Sequence, residues 1–183
     1  MWKNRGIIEN WALGLAKYIK NNGGHSDISI GTMRFALQLW ISVILIFIFA
    51  LIIGFFLGTA LQTFVVLLTI GILRYFSGGW HFRSLEVCVM VTVSVSVIIP
   101  LIPEISDILL YLVGISSLIL VLWFAPTGHG QKITTNSQRM LFKSIAMIIV
   151  VLSFTHIIQF IIVSMFFQSI TLITRKGGGL YEP

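Results

Sequence analysis

Charged residues are scarce in this chain. Only 10% of its 183 residues are Asp, Glu, Lys or Arg, whereas 57% are hydrophobic. An ordinary soluble domain carries about 25% charged residues, so the composition argues against a water-soluble fold. Several apolar runs approach or exceed the length that crosses a bilayer as a helix, about 20 residues. We therefore predict one polytopic membrane domain over residues 1–183, with the lipid bilayer as its surroundings.

Acidic residues are the scarcer of the two charged classes. Six Asp and Glu stand against twelve Lys and Arg, which gives a formal net charge of +6. Such an excess can indicate a nucleic-acid partner, but here the basic residues lie between apolar segments, where membrane orientation accounts for them. No nucleic-acid partner is predicted.

Cysteine is almost absent. The single residue, Cys88, excludes an intrachain disulfide. The four histidines are scattered and no His-Glu-x-x-His motif occurs, so neither a metal site nor another cofactor is predicted. The chemistry of the chain is therefore expected to come from its side chains alone.

The apolar segments predict an all-α integral membrane protein with about six transmembrane helices. An amphipathic segment (1–34) precedes a six-span core (35–173), and a short tail (174–183) follows. In the first segment, residues 5–20 place Ile7, Trp11 and Leu15 on one helical face, which suits either the membrane interface or packing against the protein itself. Gln62, Gln159 and Gln168 are predicted to make hydrogen bonds between helices. The predicted spans are 36–56, 61–73, 87–102, 108–124 and two short spans within 140–173.

The last apolar stretch, 140–173, is too long for one span. As a single helix it would measure about 50 Å, against a hydrocarbon core of about 30 Å, so we predict a turn near 153–156. With six spans and the N-terminus inside, every Lys and Arg faces the cytoplasm, and the outer loop after the third span carries only Glu104 and Asp107. Five spans would place Arg175 and Lys176 outside. The positive-inside rule therefore favours six spans with both termini cytoplasmic.

A polar segment, 74–88, interrupts the apolar runs and contains Gly78-Gly79, His81 and Cys88. A thiol and an imidazole can act as nucleophile and base when they meet. Seven residues of continuous helix advance about 10 Å, far beyond hydrogen-bond reach, so the backbone must fold back between them. The Gly-Gly pair favours such a break.

Two arginines lie within this segment. Arg74 or Arg83 would favour the thiolate form of Cys88 or hold a substrate carboxylate. On residue types alone another interpretation stays open, because a lone cysteine beside a span is commonly a small core residue. Ser84 and Glu86 are close in sequence, but a Cys-His dyad without a third member is the prediction.

Together, Arg74, Gly78-Gly79, His81 and Cys88 resemble the signature of the AgrB family, the accessory gene regulator B proteins, which are membrane cysteine endopeptidases. The length, the basic amphipathic N-terminus, the apolar spans and Ala125-Pro126 after the fourth span are also similar to that family. The resemblance implies that Arg74 and Gly79 matter for activity, with His81 and Cys88 as the catalytic residues.

The resemblance further implies a quorum-sensing function in the bacterial cytoplasmic membrane. The substrate would be an AgrD-type precursor peptide, cut near its C-terminal end. Cys88 would attack the carbonyl at the tail junction after His81 takes the thiol proton. A cysteine or serine of the precursor would then resolve the acyl-enzyme and close a thiolactone or lactone ring.

Two other functions remain open from the sequence. The chain could export amphipathic peptides without cutting them, with the polar segment as a structural break, or it could be a non-enzymatic membrane partner of a sensor kinase. Small residues along the spans favour a homodimer.

Overall fold

The fold was analysed in a computed structural model of the chain. The structure describes residues 6–22, 28–79, 84–127, 135–154 and 158–173. Within these ranges all regular structure is helical, which confirms the predicted all-α class for the described residues. The helices are α1 (Ile7–Asn22), α2 (Ile30–Phe56), α3 (Ala60–Ser77), α4 (Leu85–Ile98), a 3-10 helix (Ile99–Leu101), α5 (Asp107–Phe124), α6 (Asn136–Leu152) and α7 (Gln159–Ile170).

Three of these helices, α2, α3 and α5, are long and apolar enough to cross a membrane. Two further apolar stretches, Leu85–Leu101 and Gln159–Ile170, are shorter. Large apolar side chains face outward from the bundle, among them Trp40, Phe56 and Trp123, which are 68%, 80% and 75% exposed. A soluble monomer rarely exposes so much contiguous apolar surface, so these faces suit lipid. The number of six spans stays a prediction.

The long apolar stretch at the C-terminal end is divided into two helices. α6 ends at Leu152, and α7 begins at Gln159. At the end of α6, the Ser153 hydroxyl donates to the Val150 carbonyl oxygen at 2.6 Å. The next residue, Phe154, stacks on Tyr111 of α5 with ring centroids 6.2 Å apart. The predicted interruption of this stretch is therefore confirmed, and it is stabilised by contacts with α5.

Helix α3 lies at the centre of the bundle and packs against α2, α4, α6 and α7. Its buried residues recur every three or four positions, so one continuous stripe contacts these neighbours: Thr63, Val66, Leu67, Ile70, Leu73 and Ser77. Leu67 joins a cluster with α2 and α4, whereas Leu73 joins a cluster with α5, α6 and α7. α3 thus connects the two halves of the molecule.

The two ends of the helical bundle carry different charged residues. At one end of the bundle the C-terminus of α3 meets α7, and Phe76 near that terminus contacts Phe142 near the start of α6. Arg74 and Arg139 lie toward this end. At the opposite end, Gln159 binds the segment that follows the 3-10 helix, where Glu104 and Asp107 lie. The orientation of the bundle across the membrane stays a prediction from the loop charges.

Helix α1 packs on the protein through a face that shares Ile8 with the predicted apolar stripe but otherwise differs from it. Ile8, Ala12 and Ala16 are buried at i, i+4 and i+8. The aromatic and aliphatic stripe remains exposed, with Trp11 59% and Tyr18 67% accessible. One side of α1 therefore contacts α2, and the exposed side suits the membrane interface. The packing interpretation is confirmed for one face of α1, and the membrane-interface interpretation stays a prediction for the other.

We expect the crossing of α2 and α3 to depend on Gly54. A Cβ there would lie 2.8 Å from Thr63 Oγ1 and 3.4 Å from the Ala60 Cα. Gly54→Ala should lower the melting temperature of the detergent-purified protein, because overpacking costs about 1–3 kcal/mol. Gly71→Ala is the control, since a Cβ on Gly71 meets nothing within 4 Å. Equal shifts for both variants would contradict this packing.

We also expect the docking of α1 to weaken in acid. The Ile8 N–H donates to Glu86 Oε1 at 3.1 Å, and the Ser84 hydroxyl donates to Glu86 Oε2 at 2.6 Å. The Ser84 hydrogen bond is the largest cause that lowers the pKa of Glu86 below its ordinary value of 4.5. Glu86 is the second residue of α4 and precedes the predicted span 87–102. A lowered pKa in the folded state stabilises the fold above the unfolded value, and the stabilisation is lost as pH falls through the folded pKa.

Hydrogen exchange at the Ile8 amide measures this docking. Its protection factor should decrease below about pH 4.3, the ordinary range of a glutamate. In Glu86→Gln, which has no titrating group, the protection should be lower throughout and independent of acid. A wild-type protection factor that stays constant across this range would refute the role given to the carboxylate.

Candidate functional site

Cys88 lies in the first turns of α4. Ser84 is the N-cap of this helix, with an extended backbone at φ −102° and ψ 130°. The Cys88 N–H donates to the Ser84 carbonyl oxygen at 3.2 Å, and the Cys88 carbonyl accepts from the Thr92 hydroxyl at 2.8 Å. The thiol is half-buried and unpaired by any disulfide. Cys88 is the fourth residue of α4 and therefore lies close to the N-terminus of that helix.

The Arg74 guanidinium interacts electrostatically with Cys88. Arg74 lies in the last turn of α3 and is half-buried, and its charge is within Coulombic range of the Cys88 thiol. A guanidinium stays protonated in proteins, so it supplies a permanent positive charge here. Although the two residues are on separate helices, the fold brings them together. The role that the sequence suggested for Arg74 remains a prediction.

The backbone turns sharply at Gly78 and Gly79. Helix α3 ends at Ser77, and the Gly78 N–H still donates to the Arg74 carbonyl oxygen at 2.9 Å. Gly78 has φ +77° with ψ −149°, and Gly79 has φ +146°. Residues other than glycine rarely adopt these backbone angles, which accounts for glycine at both positions. The helix therefore ends where the sequence predicted a break.

Side chains from two other parts of the chain bind this turn. The Gln168 Nε2 group of α7 donates to the Gly78 carbonyl oxygen at 2.9 Å. The Gly79 N–H donates to the Thr127 hydroxyl at 3.0 Å, and the Thr127 N–H donates to the Ser77 carbonyl oxygen at 3.2 Å. Thr127 follows α5, so the turn joins the C-terminal ends of α3, α5 and α7. We call these hydrogen bonds the turn clamp.

The turn clamp was not predicted from the sequence. Gln159 and Gln168 were expected to bond between helices, but each binds backbone groups of a connecting segment instead. For Gln62 no hydrogen bond is described that would test the expectation. The available signal for the turn clamp was a polar side chain in an apolar helix. The sequence does not indicate the partner of that side chain, because the partner is distant along the chain.

Two predicted site residues, His81 and Arg83, lie outside the described residues. The structure places Arg74 and the Gly78-Gly79 turn at the C-terminal end of α3 and Cys88 in the first turns of α4, and the contact between His81 and Cys88 remains a prediction.

Comparisons with known proteins identify the family. The family model described as Accessory gene regulator B matches residues 12–174. Protein FsrB of Enterococcus faecalis (strain ATCC 47077 / OG1RF) is 30% identical over 100 residues, which cover 52% of this chain and 41% of that protein. No solved structure matches the chain. Because the family match covers most of the chain and includes α3, α4 and the site between them, the chain belongs to the accessory gene regulator B (AgrB) family.

Proposed function

We propose that this chain is a membrane-embedded cysteine endopeptidase of a quorum-sensing system, with Cys88 as nucleophile and His81 as base. The observation that carries the proposal is the position of Cys88 near the start of α4, within Coulombic range of Arg74 in the last turn of α3. Family membership supports a part in the accessory gene regulator system.

Chain connectivity supports the proposed dyad. His81 is the second residue after Gly79, and two residues of extended chain reach at most about 7 Å. Gly79 is held in place by the turn clamp, so His81 is tethered closely to a fixed point. The same end of the bundle carries Cys88. The short connection from Gly79 to His81 therefore supports the proposal that the imidazole serves Cys88.

The proposed substrate is an AgrD-type precursor peptide. The Cys88 sulfur attacks the carbonyl carbon at the junction with the C-terminal tail, and His81 accepts the thiol proton. The C–N bond breaks, His81 gives its proton to the departing amine, and a thioester joins the precursor to Cys88. A thiol or hydroxyl of the precursor then attacks the thioester, closes the thiolactone or lactone ring and returns the proton to Cys88 through His81.

The surroundings suit this sequence of steps. Arg74 favours the thiolate that must form before attack. Arg83 is proposed to bind the acidic tail of the precursor. Placement at the edge of an apolar bundle would limit water near the thioester, which favours ring closure over hydrolysis. We place the protein in the bacterial cytoplasmic membrane with six spans, both termini and this site on the cytoplasmic side.

The central test is cleavage of an AgrD-type precursor by the protein in lipid, measured as release of the C-terminal tail by mass spectrometry. Cys88→Ala should reduce cleavage by at least about a thousandfold, because removing a nucleophile leaves only residual catalysis. His81→Ala should have a similar effect. Ser94→Ala is the control, since Ser94 is exposed on the same helix. Full cleavage by Cys88→Ala would exclude the cysteine mechanism, and transport of an uncut peptide would favour an exporter.

The electrostatic role of Arg74 can be tested separately by alkylation of Cys88. Arg74→Gln should slow labelling by a membrane-permeable thiol reagent about tenfold at neutral pH, because the reactive thiolate loses a nearby positive charge. Arg139→Gln is the control: it removes a basic residue from the same end of the bundle on another helix. The single cysteine makes the signal unambiguous. Equal labelling rates in the two variants would mean that Arg74 does not act on the thiol.

A further inference from the structure

Gln168 is one of the two residues whose hydrogen bonds hold the Gly78-Gly79 turn, the other being Thr127. The Gln168 Nε2 group donates to the Gly78 carbonyl oxygen across 90 positions of sequence. The amide also packs directly on the next residue: a Cβ on Gly79 would lie 3.0 Å from Gln168 Nε2 and 2.7 Å from Thr171 Oγ1. The Thr171 hydroxyl in turn donates to the Gln168 carbonyl oxygen at 2.6 Å. The last turn of α7 is thus fitted closely against the glycine pair.

Stability alone does not account for Gln168. The side chain is fully buried, at 0% exposure, and its Oε1 atom has no hydrogen-bond partner among the described residues. An unsatisfied buried polar group costs about 1–3 kcal/mol. An apolar side chain of the same size would avoid that cost. A half-satisfied amide in an apolar bundle needs a reason, and function is the usual one.

A second glutamine on the same helix shows the difference. Gln159, at the first turn of α7, donates through Nε2 to the carbonyl oxygens of Ile102 and Pro103 at 3.0 and 2.9 Å. Its Oε1 accepts from the Ile105 N–H at 2.8 Å. Both ends of this amide are therefore satisfied, as expected for a structural group. It lies at the end of the bundle opposite Cys88, which makes it a matched control for Gln168.

We infer that Gln168 is a positioning residue: by fixing the Gly78 carbonyl it sets the direction in which the chain leaves the turn toward His81. Thr127 acts on the same turn from the other side through the Gly79 N–H. Gln168 itself contacts neither substrate nor thiol in this account. The inference rests on the proposed function, because it assigns Gln168 to the orientation of the His81–Cys88 dyad.

The consequence is kinetic and separable from binding. When the turn is released, the imidazole is less often within reach of the thiol, so kcat falls while precursor affinity is retained. A displacement of about 1 Å in such a group can cost about a hundredfold in rate. The fraction of Cys88 in the reactive thiolate form should decrease at the same time.

The test compares Gln168→Met with Gln159→Met, two equal changes on one helix, in the full chain reconstituted in lipid. Gln168→Met should lower kcat for tail release by about ten- to a hundredfold, with KM unchanged within about twofold. It should also slow Cys88 alkylation. Gln159→Met should leave kcat within about twofold of wild type, although its melting temperature decreases.

Each result decides the inference. Equal losses of kcat in the two methionine variants, or a loss confined to KM, would overturn it. If Gln168→Met does not fold, Thr127→Val releases the same turn through its other hydrogen bond. A lowered kcat in Thr127→Val supports the inference, and an unchanged kcat refutes it. Failure of the proposed function is distinguishable, because wild type would then not cleave or Cys88→Ala would cleave normally.

Discussion

The hydrogen bonds around the Gly78-Gly79 turn are the constraint on which this molecule depends. A helix that ends within an apolar bundle leaves carbonyl and N–H groups that lipid cannot satisfy. Here the Gly78 carbonyl binds Gln168, and the Gly79 N–H binds Thr127. These bonds join three helix ends that are distant in sequence. The polar groups released by ending α3 thus become the means by which the site is assembled.

The rest of the bundle keeps those ends in register. α3 is central, and close contacts between small residues let its neighbours approach, as where Gly54 of α2 meets Thr63. Between α5 and α7, the hydroxyls of Ser117 and Ser169 lie 2.7 Å apart, one residue beyond Gln168. In lipid no hydrophobic force drives helices together. They associate instead through close packing of small residues and through buried hydroxyl groups. The packing of α7 on its neighbours also determines where the Gln168 side chain meets the Gly78-Gly79 turn.

Much of the architecture could be predicted from the sequence because long apolar runs and glycine pairs are local signals. α2, α3 and α5 follow the predicted spans, and α6 and α7 are separated where length required a break. The face by which α1 docks was predicted only in part, through Ile8. Hydrophobic pattern selects Trp11 and Tyr18, whereas close packing uses Ala12 and Ala16, which contribute little to such a pattern.

Only part of the chemistry of the site could be predicted from the sequence. Arg74 and Cys88 were selected as residue types, and their proximity across two helices needed the fold. Gln168 could not be linked to Gly78 from sequence, since no local pattern relates residues so far apart. The short polar segment carries the reactive groups because it connects the end of α3, which holds Arg74, to the start of α4, which holds Cys88.

The central claim is that the clamped turn returns residue 81 to Cys88. The single native cysteine permits a direct test: His81→Cys creates one thiol pair, to be treated in lipid with a short bifunctional thiol reagent. The account predicts an efficient intrachain cross-link, seen by mass spectrometry, and none for Asp107→Cys, whose residue lies at the opposite end of the bundle. A His81→Cys protein that labels at both thiols but never cross-links would contradict it.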